Sequence, residues 1–367
     1  MMTDSDWRPL AGKLTETIAQ EVRLDPEWRR AFEQTPRHLF VPGVPIAEAY
    51  EDESIVIQTV NKGDFDWPTS SSTKPSLMAY MLMLLDLDDE QTVLEVGTGS
   101  GYNAALLCHR LDTASVTSFE LDSCRVASID LDQQLIETAE ARLLMVGRRP
   151  DLAAGDGREI AFPDKTFDRI IATAGARRIP QAWGQQLNTD GILVTDFGGD
   201  AFPRIVKLAK QPNGTLQGQI KSRPGWFMPL RPSVSHPRED PDHDPQPLHD
   251  LNPYETTRSP VPPGLTEDAE GLAFAINFFL EPEMLTDQFP DGSTGTFISF
   301  RDGSWIETTN DMTKYGGSSP QIEELEQLTA VWQELGEPEP EDLRLTVAPD
   351  GSHTLTVYGF DRTWELR

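Results

Sequence analysis

The sequence predicts an α/β protein: a doubly wound, Rossmann-like parallel sheet followed by a C-terminal α+β extension. Three observations carry that expectation. The apolar run Val93-Leu94-Glu95-Val96 ends in Gly97-Thr98-Gly99-Ser100-Gly101-Tyr102-Asn103 and passes straight into a helix-like segment at 104–108. Further apolar runs at 126–131, 167–174 and 191–196 alternate with helical stretches at 133–144 and 179–187. Beyond residue 265, strand-like runs at 272–279, 295–300, 343–347 and 353–358 surround one helical stretch at 322–335.

The glycine turn narrows the ligand. Glycines accept positive φ and let a ligand approach the backbone closely. A dinucleotide turn reads G-x-G-x-x-G and aims a helix N-terminus at a pyrophosphate. Here the spacing is G-x-G-x-G, and Glu95 stands two residues before the first glycine. A carboxylate repels phosphate and attracts a cation. S-adenosyl-L-methionine, with its sulfonium and ammonium groups, therefore fits better than NAD. A nicotinamide-binding protein is the competing reading, and titration with the two cofactors separates them.

The 367 residues suggest two domains and ample core. With 38% hydrophobic and 25% charged residues, no run approaches the roughly 18 apolar residues of a membrane span. The first residues lack the basic and apolar blocks of a signal peptide, and Cys108 and Cys124 are the only cysteines. Both features point to a reducing cytoplasm. A net charge of −29 argues against nucleic acid, and it is compatible with a neutral or basic peptide. Residues 1–90 read as a helical, substrate-facing region, with Leu10, Leu14, Ile18, Val22 and Trp28 at near-helical spacing and Pro36 ending the pattern. Residues 62–73 read as a polar loop, and Pro75 opens an amphipathic helix. Residues 91–222 form the cofactor-binding unit.

The ordered pieces 37–42 (Arg37-His38-Leu39-Phe40-Val41-Pro42), 49–52, 71–76, 93–102 and 155–157 resemble the protein-L-isoaspartate O-methyltransferase family over roughly residues 10–225. The resemblance implies a carboxyl methyltransferase that uses S-adenosyl-L-methionine and releases S-adenosyl-L-homocysteine. In that family a T-I-S-Q-P-like segment sets a hydroxyl against the substrate carboxylate. Here Ser71, Ser72, Thr73, Lys74 and Pro75 align with it, so Thr73 stands at the serine and Ser71 and Ser72 assist. Threonine for serine, lysine for glutamine and the long extension look more like a specialised branch. That branch is similar to methyltransferases acting beside ATP-grasp or lanthionine-forming enzymes on ribosomally made peptides, where an esterified Asp closes to an aspartimide. The partner is then a peptide or protein, including a cyclised precursor peptide; general isoaspartyl repair is the alternative. A serine-rich helix cap is the plain reading of the hydroxyl run.

The expected cofactor set comprises Glu95, Gly97, Thr98, Gly99, Gly101, Tyr102, Asn103, Asp130, Leu131, Asp156, Gly157 and Thr173. Residues 116–122 and 126–132 are near copies, so Glu120 and Asp130 compete for the ribose hydroxyls. Asp130 is preferred because it runs directly into the next helix. By resemblance, Asp156 lies against the adenine amino group. Residues 223–265 are proline-rich, a linker or wrapping arm. Its His236, His243 and His249 match no zinc spacing, so no metal site is expected. Residues 266–367 read as a substrate-recognition module or a structural, dimerising appendage. Trp226-Phe227-Met228 is a candidate peptide groove. A carboxylate acceptor with a pKa of about 4 is ionised at neutral pH and needs no general base. The missing Ser-His-Asp and Cys-His sets agree with that chemistry. A non-catalytic peptide binder that has kept a methyltransferase shell is the third reading.

Overall fold

Helices α1 (Trp7–Glu21) and α2 (Pro26–Gln34) open the chain. The computed structural model describes residues 7–62, 65–112, 125–198, 201–231, 254–258, 265, 269–282, 284–288, 294–300, 302–309, 312–317, 321–360 and 362–366. Helix α1 buries Ala11, Leu14 and Ile18, the stripe its periodicity predicts. Asp25 caps α2: its Oδ1 accepts from the Trp28 N–H at 2.7 Å, and Pro26 supplies a helical φ. Thr35 leaves the helical region at ψ 116° because Pro36 follows it.

Strands β1 (Ile55–Lys62) and β2 (Phe65–Ser72) form an antiparallel hairpin, which corrects the polar loop expected at 62–73. Strand β2 lacks apolar alternation because polar pairs hold it. Thr69 Oγ1 donates to Gln58 Oε1 at 2.8 Å, and Gln58 Nε2 donates to Asp132 Oδ2 at 2.6 Å. Pro68 is tolerated because the hairpin is two-stranded.

Next come α3 (Pro75–Leu84), β3 (Val93–Val96), α4 (Tyr102–Asp112), β4 (Val126–Asp130), α5 (Gln133–Met145), β5 (Asp151–Ala154), β6 (Phe167–Ala176), α6 (Gln181–Gln186) and β7 (Leu187–Phe197). These strands pair in parallel in the order β5-β4-β3-β6-β7. The winding starts at β3, runs out to β5, then returns through β6 to β7. The order reverses between β3 and β6, the place where such sheets hold ligands at their carboxyl ends. Strand alternation sends Val93, Ile171 and Val194 into the layer of α1 to α4, and Leu94, Val96, Ile170 and Leu193 into the opposite layer.

Strands β8 (Arg204–Lys210) and β9 (Leu216–Ile220) continue the sheet antiparallel. Strands β10 (Tyr254–Arg258), β11 (Met284–Gln288), β12 (Thr294–Ser299), β13 (Trp305–Thr309) and β14 (Met312–Gly316) make a separate antiparallel sheet in the order β10-β14-β13-β12-β11. Strands β15 (Leu343–Val347), β16 (His353–Val357) and β17 (Thr363–Leu366) do not join it. Strand β15 pairs with β9, so the first sheet reaches ten strands among the described residues and crosses the boundary expected near residue 266. The run at 272–279, expected as a strand, is the helix Glu270–Phe279. A short, wholly apolar run suits a buried helix as well as a buried strand. Phe278 of this helix stacks on Phe197 of β7, 4.8 Å between ring centroids. With Gln321–Glu334 it covers the sheet face that α1 to α4 leave open.

Among the described residues, no helix is long and apolar enough to cross a membrane. Glu120, Cys124, His236, His243 and His249 lie outside the described residues.

Candidate active site

The carboxyl ends of β3, β4 and β6 open onto a cavity of about 350 Å³. That volume is inside the range of small-molecule sites, roughly 300–1,000 Å³. The hairpin, the start of α3 and an arm at 225–231 close the other sides.

The turn after β3 has Gly97, Gly99 and Gly101 at φ +97°, +50° and +83°. Space is short at two of them as well. A Cβ on Gly97 would lie 2.9 Å from Thr173 Oγ1, and one on Gly101 would lie 3.1 Å from the Ala139 Cβ. Thr173 Oγ1 donates to the Gly97 carbonyl at 2.8 Å and so bridges β6 to the turn across the switch point. Asp130 fastens the same turn from β4. Its Oδ2 accepts from the Gly99 N–H at 2.8 Å and its Oδ1 from the Asp132 N–H at 3.1 Å. Burial pushes the Asp130 carboxyl above the usual carboxylate range, against those two amide bonds.

Gly97, Thr98, Gly99 and Asn103 line the cavity, as do Asp130, Leu131, Gly157 and Thr173. Gly157 packs tightly, since a Cβ there would meet Val96 Cγ1 at 2.6 Å. The hydroxyl-bearing end of β2 faces this turn. A Cβ on Gly99 would sit 3.4 Å from Ser70 Oγ, and Ser71, Ser72 and Thr73 all line the space. Ser72 is buried, and its Oγ has no hydrogen-bond partner. Arg37, fully buried, gathers the neighbouring loops by donating to the carbonyls of Ala49, Glu51, Glu53 and Thr73. Lys74 points away to Asp52, 3.6 Å off.

Four expected residues stand outside the cavity lining. Glu95 is wholly buried beneath it, on the Val93 face of β3. Its oxygens accept from Asn103 Nδ2 at 2.8 Å and Ser128 Oγ at 2.5 Å. Burial pushes its carboxyl up to about 7, and its two hydrogen bonds brace α4 and β4 from below. Gly101 and Tyr102 belong to the helix start; Tyr102 is buried against Phe40 and under Arg37. Asp156 turns to Arg158, whose Nε and Nη2 donate to it at 3.0 and 2.7 Å. A guanidinium two residues downstream is a signal the sequence carried for that pairing.

Gly175 at the end of β6 exchanges backbone hydrogen bonds with Met228 and Leu230, and this anneals the arm to the sheet. Asp196, buried and pushed up to about 6, accepts from the Phe227 N–H at 3.0 Å. Trp226, Phe227, Met228 and Arg231 line the cavity.

A family model described as protein-L-isoaspartate(D-aspartate) O-methyltransferase matches residues 13–233. A protein-L-isoaspartate O-methyltransferase of Xanthobacter autotrophicus is 34% identical over 210 residues, covering 56% of this chain and 84% of that protein. Protein-L-isoaspartate O-methyltransferase 2 of Archaeoglobus fulgidus is 32% identical over 227 residues, covering 60% and 91%. A solved structure titled protein-L-isoaspartate O-methyltransferase aligns with a TM-score of 0.55 at 21% identity, covering 95% of this chain and 99% of that one. At that identity the likeness shows the fold.

Proposed function

Since the chain belongs to the protein-L-isoaspartate(D-aspartate) O-methyltransferase family, we propose that its cavity directs methyl transfer to an isoaspartyl or aspartyl carboxylate of a peptide or protein. The cofactor is S-adenosyl-L-methionine, released as S-adenosyl-L-homocysteine. The residues present fit it: a glycine turn with room for close approach, a carboxylate at the end of β4, and a buried Ser72 hydroxyl lacking a partner. When bound, it supplies an electrophilic methyl group on a sulfonium.

The chain's own residues bind, align and dry the reactants. Asp130 would take the ribose hydroxyls, because each carboxylate oxygen has lone-pair capacity beyond its one amide bond. Thr73, with Ser71 and Ser72, orients the acceptor carboxylate by hydrogen bonds. That acceptor arrives ionised, so no residue has to remove a proton. Shedding water favours a step in which opposite charges neutralise. The ester can then be attacked by the following backbone amide nitrogen, which expels methanol and closes a succinimide.

The carrying observation is the hydroxyl-bearing end of β2 held directly against the glycine turn. The family match and its relatives support isoaspartyl repair as the first reading. Modification of one dedicated ribosomal peptide is the second, favoured by Thr73 and Lys74 at the aligned serine and glutamine. The C-terminal extension no longer favours it, because the solved neighbour aligns over nearly the whole chain.

The test is incubation with S-adenosyl-L-methionine and three acceptors: an isoaspartyl peptide, its aspartyl isomer and a cyclised precursor peptide encoded beside the gene. Mass spectrometry should show one added methyl and then loss of methanol. No methyl on any of the three would refute carboxyl transfer.

A further inference from the structure

The two terminal nitrogens of Arg231 are used unequally. Nη2 donates to the Thr69 carbonyl of β2 at 3.1 Å, which pins the arm across the cavity to the hairpin. Nη1 is buried and has no hydrogen-bond partner. Among the described residues that line the cavity, Arg231 is the one cation and Asp130 the one anion. A buried guanidinium nitrogen left unmatched is costly, so its position implies an acceptor that arrives with a ligand.

A carboxylate entering this enclosure meets Asp130 and a chain of net charge −29. The neutral hydroxyls of Ser71, Ser72 and Thr73 orient such a group but do not offset that repulsion. A guanidinium does both, through a charge-assisted hydrogen bond of fixed direction. We propose that Arg231 Nη1 binds a carboxylate within the cavity, that of the acceptor peptide, and thereby sets the enzyme's preference for acidic over amidated side chains. The inference rests on the carboxyl-transfer reading above. The methionine portion of the cofactor also carries a carboxylate, and the test separates the two sources.

Calorimetry on the full chain, with S-adenosyl-L-homocysteine present, would compare an isoaspartyl peptide with the same peptide bearing a primary amide in place of the acceptor carboxylate. Wild type should prefer the carboxylate, and Arg231→Met should lose about 10- to 100-fold of that preference, the range for a hydrogen bond to a charged group. Arg231→Lys should retain part of it. A role limited to strapping the arm would weaken both peptides alike, so an unchanged preference in Arg231→Met overturns the assignment. A second arm compares S-adenosyl-L-homocysteine with 5′-methylthioadenosine, which lacks the amino-acid portion. If the loss falls on that difference instead, the carboxylate is the cofactor's and the acceptor assignment fails. If wild type itself shows no carboxylate preference, the carboxyl-transfer reading falls together with the inference.

Discussion

Ser72 and Thr73 are neighbours with different physical positions. The Ser72 hydroxyl is buried without a partner, so Ser72→Ala removes a desolvated group that no neighbouring side chain or backbone atom satisfies. Its melting temperature should stay level or rise slightly, as scanning calorimetry would show. Thr73→Ala should lower kcat/KM roughly 10- to 100-fold in single-turnover assays, with the affinity for S-adenosyl-L-homocysteine unchanged. Glu95 gives a pH signature. Its folded-state pKa is raised from 4.5 to about 7, so below pH 4.5 it is protonated folded and unfolded alike and contributes no penalty. Between pH 4.5 and 7 only the unfolded chain releases the proton, and stability falls by on the order of 3 kcal/mol. Asp196 slopes the same way from 3.8 to about 6, so the variant comparison isolates Glu95. Glu95→Gln should flatten the decline between pH 4.5 and 7 in urea titrations; an unchanged slope would show that this carboxyl is not raised in the folded protein.

At the scale of elements, the hairpin is more than a cover. Gln58 receives Thr69 Oγ1 and donates to Asp132, while Asp132 caps α5 through the Gln134 N–H and gives its own N–H to Asp130. Gln58→Leu should therefore weaken S-adenosyl-L-homocysteine binding about tenfold by calorimetry, with helix content by circular dichroism unchanged. Legibility divides along the same line between local and distant signals. The strand, glycine turn and helix at 93–112 could be read because every determinant lies within a few residues of its neighbour. Strand β2 could not, since polar cross-strand pairs replace the apolar alternation that marks a strand. The helix Glu270–Phe279 differs from the strand expected there because an all-apolar stretch carries no period. A carboxylate two residues before the glycines reads as a ligand contact, whereas the alternation of Glu95 with Leu94 and Val96 puts it on the α4 face. Arg231 was invisible because it reaches the cavity only when the chain folds back onto Gly175.

At the scale of the whole molecule, the C-terminal third is part of the core. Strand β15 covers the edge of β9, and Phe278 packs on Phe197. Truncation after residue 231 keeps every described cavity-lining residue yet bares a sheet edge and an apolar face. The shortened chain should aggregate or lose cooperative unfolding, as light scattering and urea titration would report; a soluble, two-state product would contradict this account. The pairing of β9 with β15 also has a consequence during synthesis. The segment carrying β9 leaves the ribosome more than a hundred codons before its partner does. For that interval the nascent protein owns a finished cavity and an unfinished border, and a chaperone has reason to guard it until β15 emerges.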